Sequence, residues 1–128
     1  MEPRDCSRVF IVEDSAPIRS RLVELLGEMV GVCVVGEAET PSDAISGIRQ
    51  TKPHCVILDY QLIGGTGVDV LRALRPTSPD IAFVVLTNHP NAQYRRVCME
   101  AGADSFLDKS TEFEKIQEAV SESILARH

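Results

Sequence analysis

Four short apolar runs in the sequence each end in polar residues that could take part in one chemistry. The runs end in Glu13-Asp14, in Asp59, in Thr87 and in Lys109. Carboxylates are ligands for divalent cations such as Mg²⁺, and a carboxylate can also attack a phosphoryl group to form an acyl phosphate. An ammonium and a hydroxyl nearby would offset the charge on the phosphoryl oxygens. These residue types therefore indicate a site for a divalent cation and a phosphoryl group, if the fold brings them together.

The three carboxylates have distinct places in such a site. Asp14 and Asp59 could bind the cation directly, and Glu13 could hold a coordinated water or add to the negative field. Asp59 ends the most apolar run, which makes it the best candidate for the nucleophile. Because three ionised carboxylates at close range repel one another, we expect a cation beside them.

The apolar runs have the length and composition of buried strands in a parallel sheet. The predicted strands lie near residues 8–13, 32–36, 55–58, 81–86 and 105–108. Segments with apolar residues at helical spacing separate them. Helix starts are predicted at Asp14 or Ser15, at a capping box beginning with Thr40, at Pro90 or Asn91, and at a capping box of Thr111 and Glu114, and the first helix is predicted to end at Gly31.

The alternation of strands and helices predicts the fold. Short connections imply right-handed crossovers with helices on both faces of the sheet. The predicted fold class is α/β, a flavodoxin-like, doubly wound parallel sheet of five strands in the order 2-1-3-4-5 with five helices. This order makes Glu13, Asp14 and Asp59 neighbours, and ligands of such sheets bind beyond the carboxyl ends of the strands.

The size and charge of the chain limit its function. With 128 residues we expect a single domain over 1–128. The net charge of −6 argues against direct nucleic-acid binding, which needs a clustered positive field. No apolar run reaches the roughly 18 residues of a membrane span, and the first five residues lack a signal-peptide core. We therefore expect a cytoplasmic protein without a membrane partner.

The four cysteines, Cys6, Cys33, Cys55 and Cys98, show no metal-ligand spacing. Cys33 and Cys55 lie within apolar runs, where a free cysteine behaves as a small hydrophobe. This usage predicts a reducing compartment.

The ordered set of polar strand ends resembles that of the response-regulator receiver domains of two-component signal transduction. Glu13-Asp14 follows the first strand, Asp59 the third, Thr87 the fourth and Lys109 the fifth. The segment 102–109, GADSFLDK, also resembles the stretch that precedes the lysine of this family. The resemblance covers nearly all of the chain.

The resemblance implies a phosphorylation switch that catalyses its own aspartyl phosphorylation and dephosphorylation and is not a metabolic enzyme. Asp59 would accept the phosphoryl group from a histidine kinase or a phosphotransfer protein. Mg²⁺ or Mn²⁺ would be bound by Asp14, Asp59 and the backbone carbonyl of Gln61, with Glu13 acting through water. Thr87 and Lys109 would contact the phosphoryl oxygens.

The resemblance also implies how the signal leaves the site. Thr87 and Phe106 match the switch pair of the family, and Gln61 and His89 stand where the family tunes the lifetime of the phosphoryl group. The surface of the fourth helix, last strand and fifth helix would bind a downstream protein, and it includes Tyr94, Arg95, Met99 and Glu100. A homodimer is left open, and so is whether the chain acts alone or belongs to a longer regulator.

Two positions depart from the usual family pattern. Leu62-Ile63-Gly64-Gly65 stands where proline-glycine is common, and Gly64–Gly67 is predicted to be a flexible connection. Ser110 follows Lys109 where proline is frequent, which leaves open whether that peptide bond is cis.

Three other functions compete with the phosphorylation switch. The first is a flavodoxin-like module for a small anion such as a flavin phosphate, which rests on the fold alone. The second is a receiver-like protein that signals by binding without phosphorylation. The third is an aspartyl-phosphate phosphatase for external substrates, against which Gln61 stands where such enzymes have a second aspartate.

Overall fold

The computed structural model describes residues 6–127, so that residues 1–5 and 128 of the predicted domain lie outside the described part. Its strands are β1 (Ser7–Val12), β2 (Val32–Ala38), β3 (Cys55–Asp59), β4 (Gln61–Leu62), β5 (Gly65–Thr66), β6 (Ala82–Thr87) and β7 (Ser105–Asp108). Its helices are α1 (Ala16–Gly27), α2 (Pro41–Thr51), α3 (Gly67–Leu74), α4 (Ala92–Glu100) and α5 (Ile116–Arg127), with a 3₁₀ turn (Phe113–Lys115) before α5. In the described part of the chain, no helix has the length and apolar content to cross a membrane.

Five strands form one parallel sheet in the order β2-β1-β3-β6-β7. Counted along the chain, this is the predicted order 2-1-3-4-5, which is confirmed. The short strands β4 and β5 form a separate antiparallel hairpin. The register pairs Val12 with Leu58 and Thr87 with Asp108, so the carboxyl ends of the strands meet at one edge.

Apolar side chains cover both faces of the sheet, as a doubly wound fold requires. One core joins the sheet to α2, α3 and α4 through residues such as Ile48, Leu71 and Cys98. The other core joins it to α1 and α5 through residues such as Leu22 and Ile116. The central strand β3 is buried along its whole length, and its last residue, Asp59, lies at the carboxyl edge of the sheet.

Local signals predicted most helix starts. Ser15 rather than Asp14 caps α1, Thr40 caps α2, and Asn91 caps α4, each through a side-chain oxygen that accepts the backbone N–H three residues on. The end of the first helix was predicted too late. It ends at Gly27, and Gly31 instead provides a positive φ of 79° just before β2.

The predicted capping box of Thr111 and Glu114 is wrong. A 3₁₀ turn precedes α5, and the residue at its start makes no side-chain cap. The Asp108 carboxylate accepts hydrogen bonds from the Ser110 N–H (2.9 Å) and hydroxyl (2.7 Å). The Glu112 carboxylate accepts the Asp108 N–H (3.0 Å). These bonds close a different turn ahead of the helix.

The segment Gly64–Gly67 was predicted to be a flexible connection, but it forms the β4–β5 hairpin and the start of α3. Gly64 has a positive φ of 82° at the hairpin turn. The Thr66 N–H donates to the Asp69 carboxylate (2.9 Å) at the start of α3. A Cβ on Gly67 would stand 2.5 Å from the backbone oxygen of Asp59. Glycine therefore allows this loop to close on the end of β3.

The prediction that Cys33 is a free thiol is wrong, and the disulfide removes the argument from cysteine usage for a reducing compartment. Cys33 forms a disulfide with Cys6, which links the start of β2 to the residue before β1. Cys55 and Cys98 are free and buried, as small hydrophobes would be. Burial raises the pKa of the Cys55 thiol to about 12, with a further contribution from the charge of Asp104.

Candidate functional site

The polar residues at the carboxyl ends of the strands line one cavity of about 220 Å³. Its lining residues are Asp14, Ser15, Ile18, Asp59, Gln61, Thr87, Asn88, His89 and Lys109. Six of the eight predicted site residues are among them. The other two, Glu13 and Phe106, are buried and do not line the cavity.

The end of β1 fixes the acidic pair. The Glu13 N–H donates to the Ala38 carbonyl at the end of β2 (2.9 Å). The Glu13 side chain is only 1 % exposed, and its Oε2 accepts the Ser15 N–H (3.0 Å). Asp14, by contrast, is exposed and lines the cavity. The pair thus supplies one buried charge and one accessible carboxylate.

Lys109 reaches both buried carboxylates. Its Nζ lies 2.6 Å from Glu13 Oε1 and 3.1 Å from Asp59 Oδ2. Its backbone N–H donates to the Thr87 carbonyl (2.8 Å), which ties the end of β7 to β6. Since the described residues contain no cis peptide bond, the Lys109–Ser110 bond is trans.

Burial, neighbouring charges and hydrogen bonds shift the pKa values of Asp59, Lys109 and Asp14. Burial raises the pKa of Asp59 to about 7, the charge of Glu13 adds to the rise, and Lys109 offsets part of it. Burial alone would lower the pKa of Lys109, but the hydrogen bond to Glu13 and the charges of Asp59 and Glu13 raise it above its ordinary value. Burial opposes the shift at Asp14, yet hydrogen bonds with Glu13 and Asp59 and the Lys109 charge lower its pKa.

The donor set fits a divalent cation. Glu13, Asp14 and Asp59 each offer one carboxylate oxygen, and these three oxygens lie within 4.8 Å of one another. When all three are ionised, the single ammonium of Lys109 leaves two negative charges uncompensated. Apart from that ion pair, Glu13 Oε1 has no hydrogen-bond partner among the described residues. Both the oxygen donors and the residual charge match the preferences of Mg²⁺.

The predicted switch pair lies on neighbouring strands. Thr87 is buried at the end of β6, and its hydroxyl oxygen accepts the His89 N–H (3.0 Å), which leaves the hydroxyl hydrogen available to another acceptor. Phe106 on β7 pairs with Val85 on β6. Because side chains alternate along a strand, Phe106, Val85 and Thr87 lie on the same face of the sheet. The Phe106 ring is buried in the core on that face.

The residues at the rim of the cavity include some that sequence reasoning missed. Gln61 and His89 are exposed and line the cavity, as expected for residues that could contact a ligand. Asn88 and Ser15 also line it and were not predicted as site residues. A signal for Asn88 was present, since it directly follows Thr87 beyond the strand end.

An aromatic stack connects the site to α4. Tyr60, which follows Asp59, stacks on Tyr94 of α4 with ring centroids 4.6 Å apart. The His89 ring meets Tyr94 edge-on at 6.3 Å. Arg95 and the other predicted face residues of this helix, Met99 and Glu100, are exposed. The predicted partner surface is therefore linked to the site, because Tyr94 on that surface contacts Tyr60, the residue after Asp59.

The response regulator receiver domain is the known family that the chain matches, over residues 9–121. The chain belongs to this family. It is 30% identical over 115 residues to the DNA-binding transcriptional activator DevR/DosR of Mycobacterium tuberculosis, which covers 90% of this chain and 53% of that protein. It is 29% identical over 113 residues to the response regulator GacA of Pseudomonas aeruginosa, which covers 88% of this chain and 53% of that protein.

A solved structure supports the same assignment. The two-component response regulator of the LuxR family from Aurantimonas sp. SI85-9A1 superposes with a TM-score of 0.90 at 25% sequence identity, covering 96% of this chain and 88% of that one. The predicted fold class and family are thus confirmed. The chain spans about half the length of the curated relatives it matches. A receiver domain fits the predicted phosphorylation-dependent switch, and these matches do not favour a flavin- or anion-binding module.

Proposed function

We propose that Asp59 accepts a phosphoryl group from a phosphohistidine on a sensor kinase or phosphotransfer protein. One observation carries this proposal. Asp59 is a buried carboxylate that ends the central strand, opens on a small cavity, and has the Lys109 ammonium 3.1 Å from Oδ2. An aspartate that merely capped a turn would have no need of a buried lysine and two further carboxylates.

The transfer is a displacement at phosphorus. A carboxylate oxygen of Asp59 forms the new O–P bond as the N–P bond to the donor imidazole breaks, and the imidazole keeps the electron pair. Asp59 must be ionised to attack. Because its pKa lies at about 7 without a cation, a positive charge bound beside it would favour the reactive form.

Residues of this chain would hold the phosphoryl group once it is transferred. Lys109 is anchored through its backbone to Thr87, so its ammonium is already aimed at Asp59. The Thr87 hydroxyl can donate to a second phosphoryl oxygen. Bound Mg²⁺ or Mn²⁺ would neutralise further charge there, with Asp14, Asp59 and the Gln61 carbonyl as ligands and Glu13 acting through water.

The lifetime of the phosphoryl group would depend on the rim of the cavity. Hydrolysis needs a water aligned with the O–P bond of phosphorylated Asp59. Gln61 and His89 are exposed, and they line the cavity two positions after Asp59 and Thr87, respectively. We propose that these two side chains control access of that water.

Phosphorylation adds about −1.5 to −2 charge at the site. Thr87 would move toward the new oxygens, and the space beside it would allow Phe106 to change its packing on the same face of the sheet. The surface of α4, β7 and α5, with Tyr94, Arg95 and Met99, would then bind a downstream protein or a second copy of the chain.

The chain itself would act as one domain through protein contacts. DevR/DosR is named a DNA-binding protein, but the match spans 53% of it. With a net charge of −6, this chain is a poor candidate for direct DNA contact. We propose a cytoplasmic setting, where histidine kinases present their phosphohistidine.

Phosphorylation can be tested with the purified chain, Mg²⁺ and a small acyl phosphate donor. Intact mass spectrometry should show the addition of one phosphoryl group that survives acid and is lost in base. The Asp59→Asn variant should show none. The matched control is Asp80→Asn, the same change at an exposed aspartate before β6, which should be labelled like the wild type. Equal labelling of Asp59→Asn and the wild type would overturn the assignment of Asp59, and no labelling by either the donor or a kinase would overturn the function.

A further inference from the structure

The Arg19 side chain joins the loops that surround the acidic cluster. Arg19 lies in the first turn of α1, and its side chain is 17 % exposed. Its Nη1 donates to the backbone carbonyl of Glu13 (2.8 Å) and lies 2.8 Å from Glu39 Oε1. Its Nε lies 3.5 Å from Glu37 Oε1. One guanidinium therefore bridges the end of β1 to the end of β2 and the loop beyond it.

The same set of contacts extends to the loop that follows Asp59. The backbone carbonyl of Glu39 accepts the N–H of Ile63 in the β4–β5 hairpin (3.2 Å). Glu39 thus meets Arg19 through its side chain and the hairpin through its backbone. The loops that carry Glu13-Asp14 and Gln61 are both tied to this one residue.

The carbonyl that Arg19 holds belongs to the peptide between Glu13 and Asp14. Fixing that peptide fixes where the Asp14 carboxylate stands relative to Asp59. Asp14 is exposed, and besides its hydrogen bonds with Glu13 and Asp59 it depends on this peptide for its position, whereas Glu13 is also held by Lys109 and the Ser15 N–H. Outer partners that orient metal ligands commonly affect metal affinity about 10–100-fold.

We propose that Arg19 is a positioning residue for the cation site: it sets the Glu13–Asp14 peptide and, through Glu39, the hairpin after Asp59, in the geometry that binds Mg²⁺. This inference rests on the proposed function, since it assumes that the cluster binds the cation. Arg19 does not line the cavity and touches no reacting atom.

The sign of the effect separates positioning from electrostatics. Arg19 carries a positive charge beside the peptide that joins Glu13 to Asp14, so a purely electrostatic role predicts that Arg19→Gln binds Mg²⁺ more tightly. A positioning role predicts weaker binding. Arg19→Lys keeps the charge but cannot present two donors in a fixed fork, so positioning predicts weaker binding there too, whereas electrostatics predicts no change.

The test is a Mg²⁺ titration of each variant. Binding is measured by calorimetry and by the shifts of the backbone amide resonances of Asp14 and Ile63. We expect Arg19→Gln to bind Mg²⁺ about tenfold more weakly than the wild type, with Arg19→Lys and Glu39→Gln between them. The matched control is Arg49→Gln, which removes the same charge from an exposed position on α2 and should bind like the wild type.

The possible results are distinct. If the wild type binds Mg²⁺ and the Arg19 variants bind it equally well or better, the positioning role is wrong and the proposed function stands. If the wild type binds no Mg²⁺, the proposed function fails, and this inference fails with it. A lower melting temperature with unchanged Mg²⁺ affinity would assign Arg19 a purely structural role. If Arg19→Gln does not fold, Arg19→Lys and Glu39→Gln decide the question by the same criterion.

Discussion

The two edges of the central sheet treat buried charge in opposite ways. At the carboxyl edge, three carboxylates (Glu13, Asp14 and Asp59) face the single ammonium of Lys109, so two negative charges are left over. At the amino edge, among residues 6–127, the Arg75 guanidinium pairs with the Asp104 carboxylate (3.2 Å), so these two charges offset each other. The cluster at the carboxyl edge therefore has a net negative charge, whereas the Arg75–Asp104 pair is neutral.

At the amino edge, the paired charges of Arg75 and Asp104 also make hydrogen bonds to the backbone. Arg75 ends α3 and donates to the backbone carbonyls of Gly102 and of Ile81 (2.8 Å), just before β7 and β6. The Asp104 carboxylate also accepts the Phe83 N–H (2.8 Å). The Cys6–Cys33 disulfide fastens the starts of β1 and β2 at the same edge. Every one of these contacts joins segments of the fold and leaves no net charge.

Charge balance distinguishes a functional cluster from a structural one. Burying like charges together costs stability, because each disfavours ionisation of the others. A fold that needed only stability would replace them or balance them, as it does around Arg75. We propose that the imbalance at the carboxyl edge reflects ligands that bind there during function, namely a cation and a phosphoryl group.

Breaking the disulfide should give the largest change in stability. Cys6 and Cys33 are 27 residues apart, and closing a loop of that size in the unfolded chain is worth about 3.5 kcal/mol. Reductant should therefore lower the free energy of unfolding of the wild type by about that amount in urea titrations. Cys33→Ser should be insensitive to reductant. A wild type equally stable with and without reductant would contradict this description of the amino edge.

Arg75→Met should lower the free energy of unfolding by about 2–3 kcal/mol, because it leaves Asp104 and several carbonyls without their shared donor. Phosphorylation of Asp59 should be retained, since the substitution lies at the other edge. Arg72→Met removes a charge from an exposed position on the same helix and should change stability little. Loss of phosphorylation in a folded Arg75→Met protein would show that the edges are not independent.

Asp59→Asn should raise the free energy of unfolding, by less than the two preceding changes lower it. The native pKa of Asp59 is about 7, above the value near 3.9 of an unfolded aspartate. Between these values the native state binds more protons than the unfolded state, so wild-type stability falls as pH rises. The cost is absent below about pH 4 and complete above about pH 7. Asp59→Asn should therefore gain about 1–2 kcal/mol relative to the wild type at pH 8 and nothing at pH 4, as measured by denaturation at both pH values.

Strand order and the clustering of the candidate site residues could be predicted because they depend on sequence-local signals. Apolar runs alternate with helical segments, and a doubly wound sheet brings their carboxyl ends together wherever the loops go. These signals were enough to predict that Asp59 and Thr87 lie at the same edge of the sheet. The end of α1 was misplaced because Gly31 serves the turn before β2 and does not end the helix.

The remaining features depend on tertiary contacts. Nothing in the spacing of Cys6 and Cys33 indicates that β1 and β2 bring them together. The capping signal at Thr111 was overridden by the Asp108 carboxylate, which binds Ser110 in a turn closed by β7. That Lys109 bridges Glu13 as well as Asp59 could not be read from residues on three separate strands.

We propose that the uncompensated charge at the carboxyl edge marks the cation and phosphoryl site. The most direct test is the difference in free energy of unfolding between the wild type and Asp59→Asn at pH 8, measured across a Mg²⁺ titration at constant ionic strength. We predict that the wild type is the less stable protein without Mg²⁺ and that the difference shrinks and then reverses as Mg²⁺ is added, because only the wild type gains the full ligand set. A difference that stays constant at all Mg²⁺ concentrations would contradict the account.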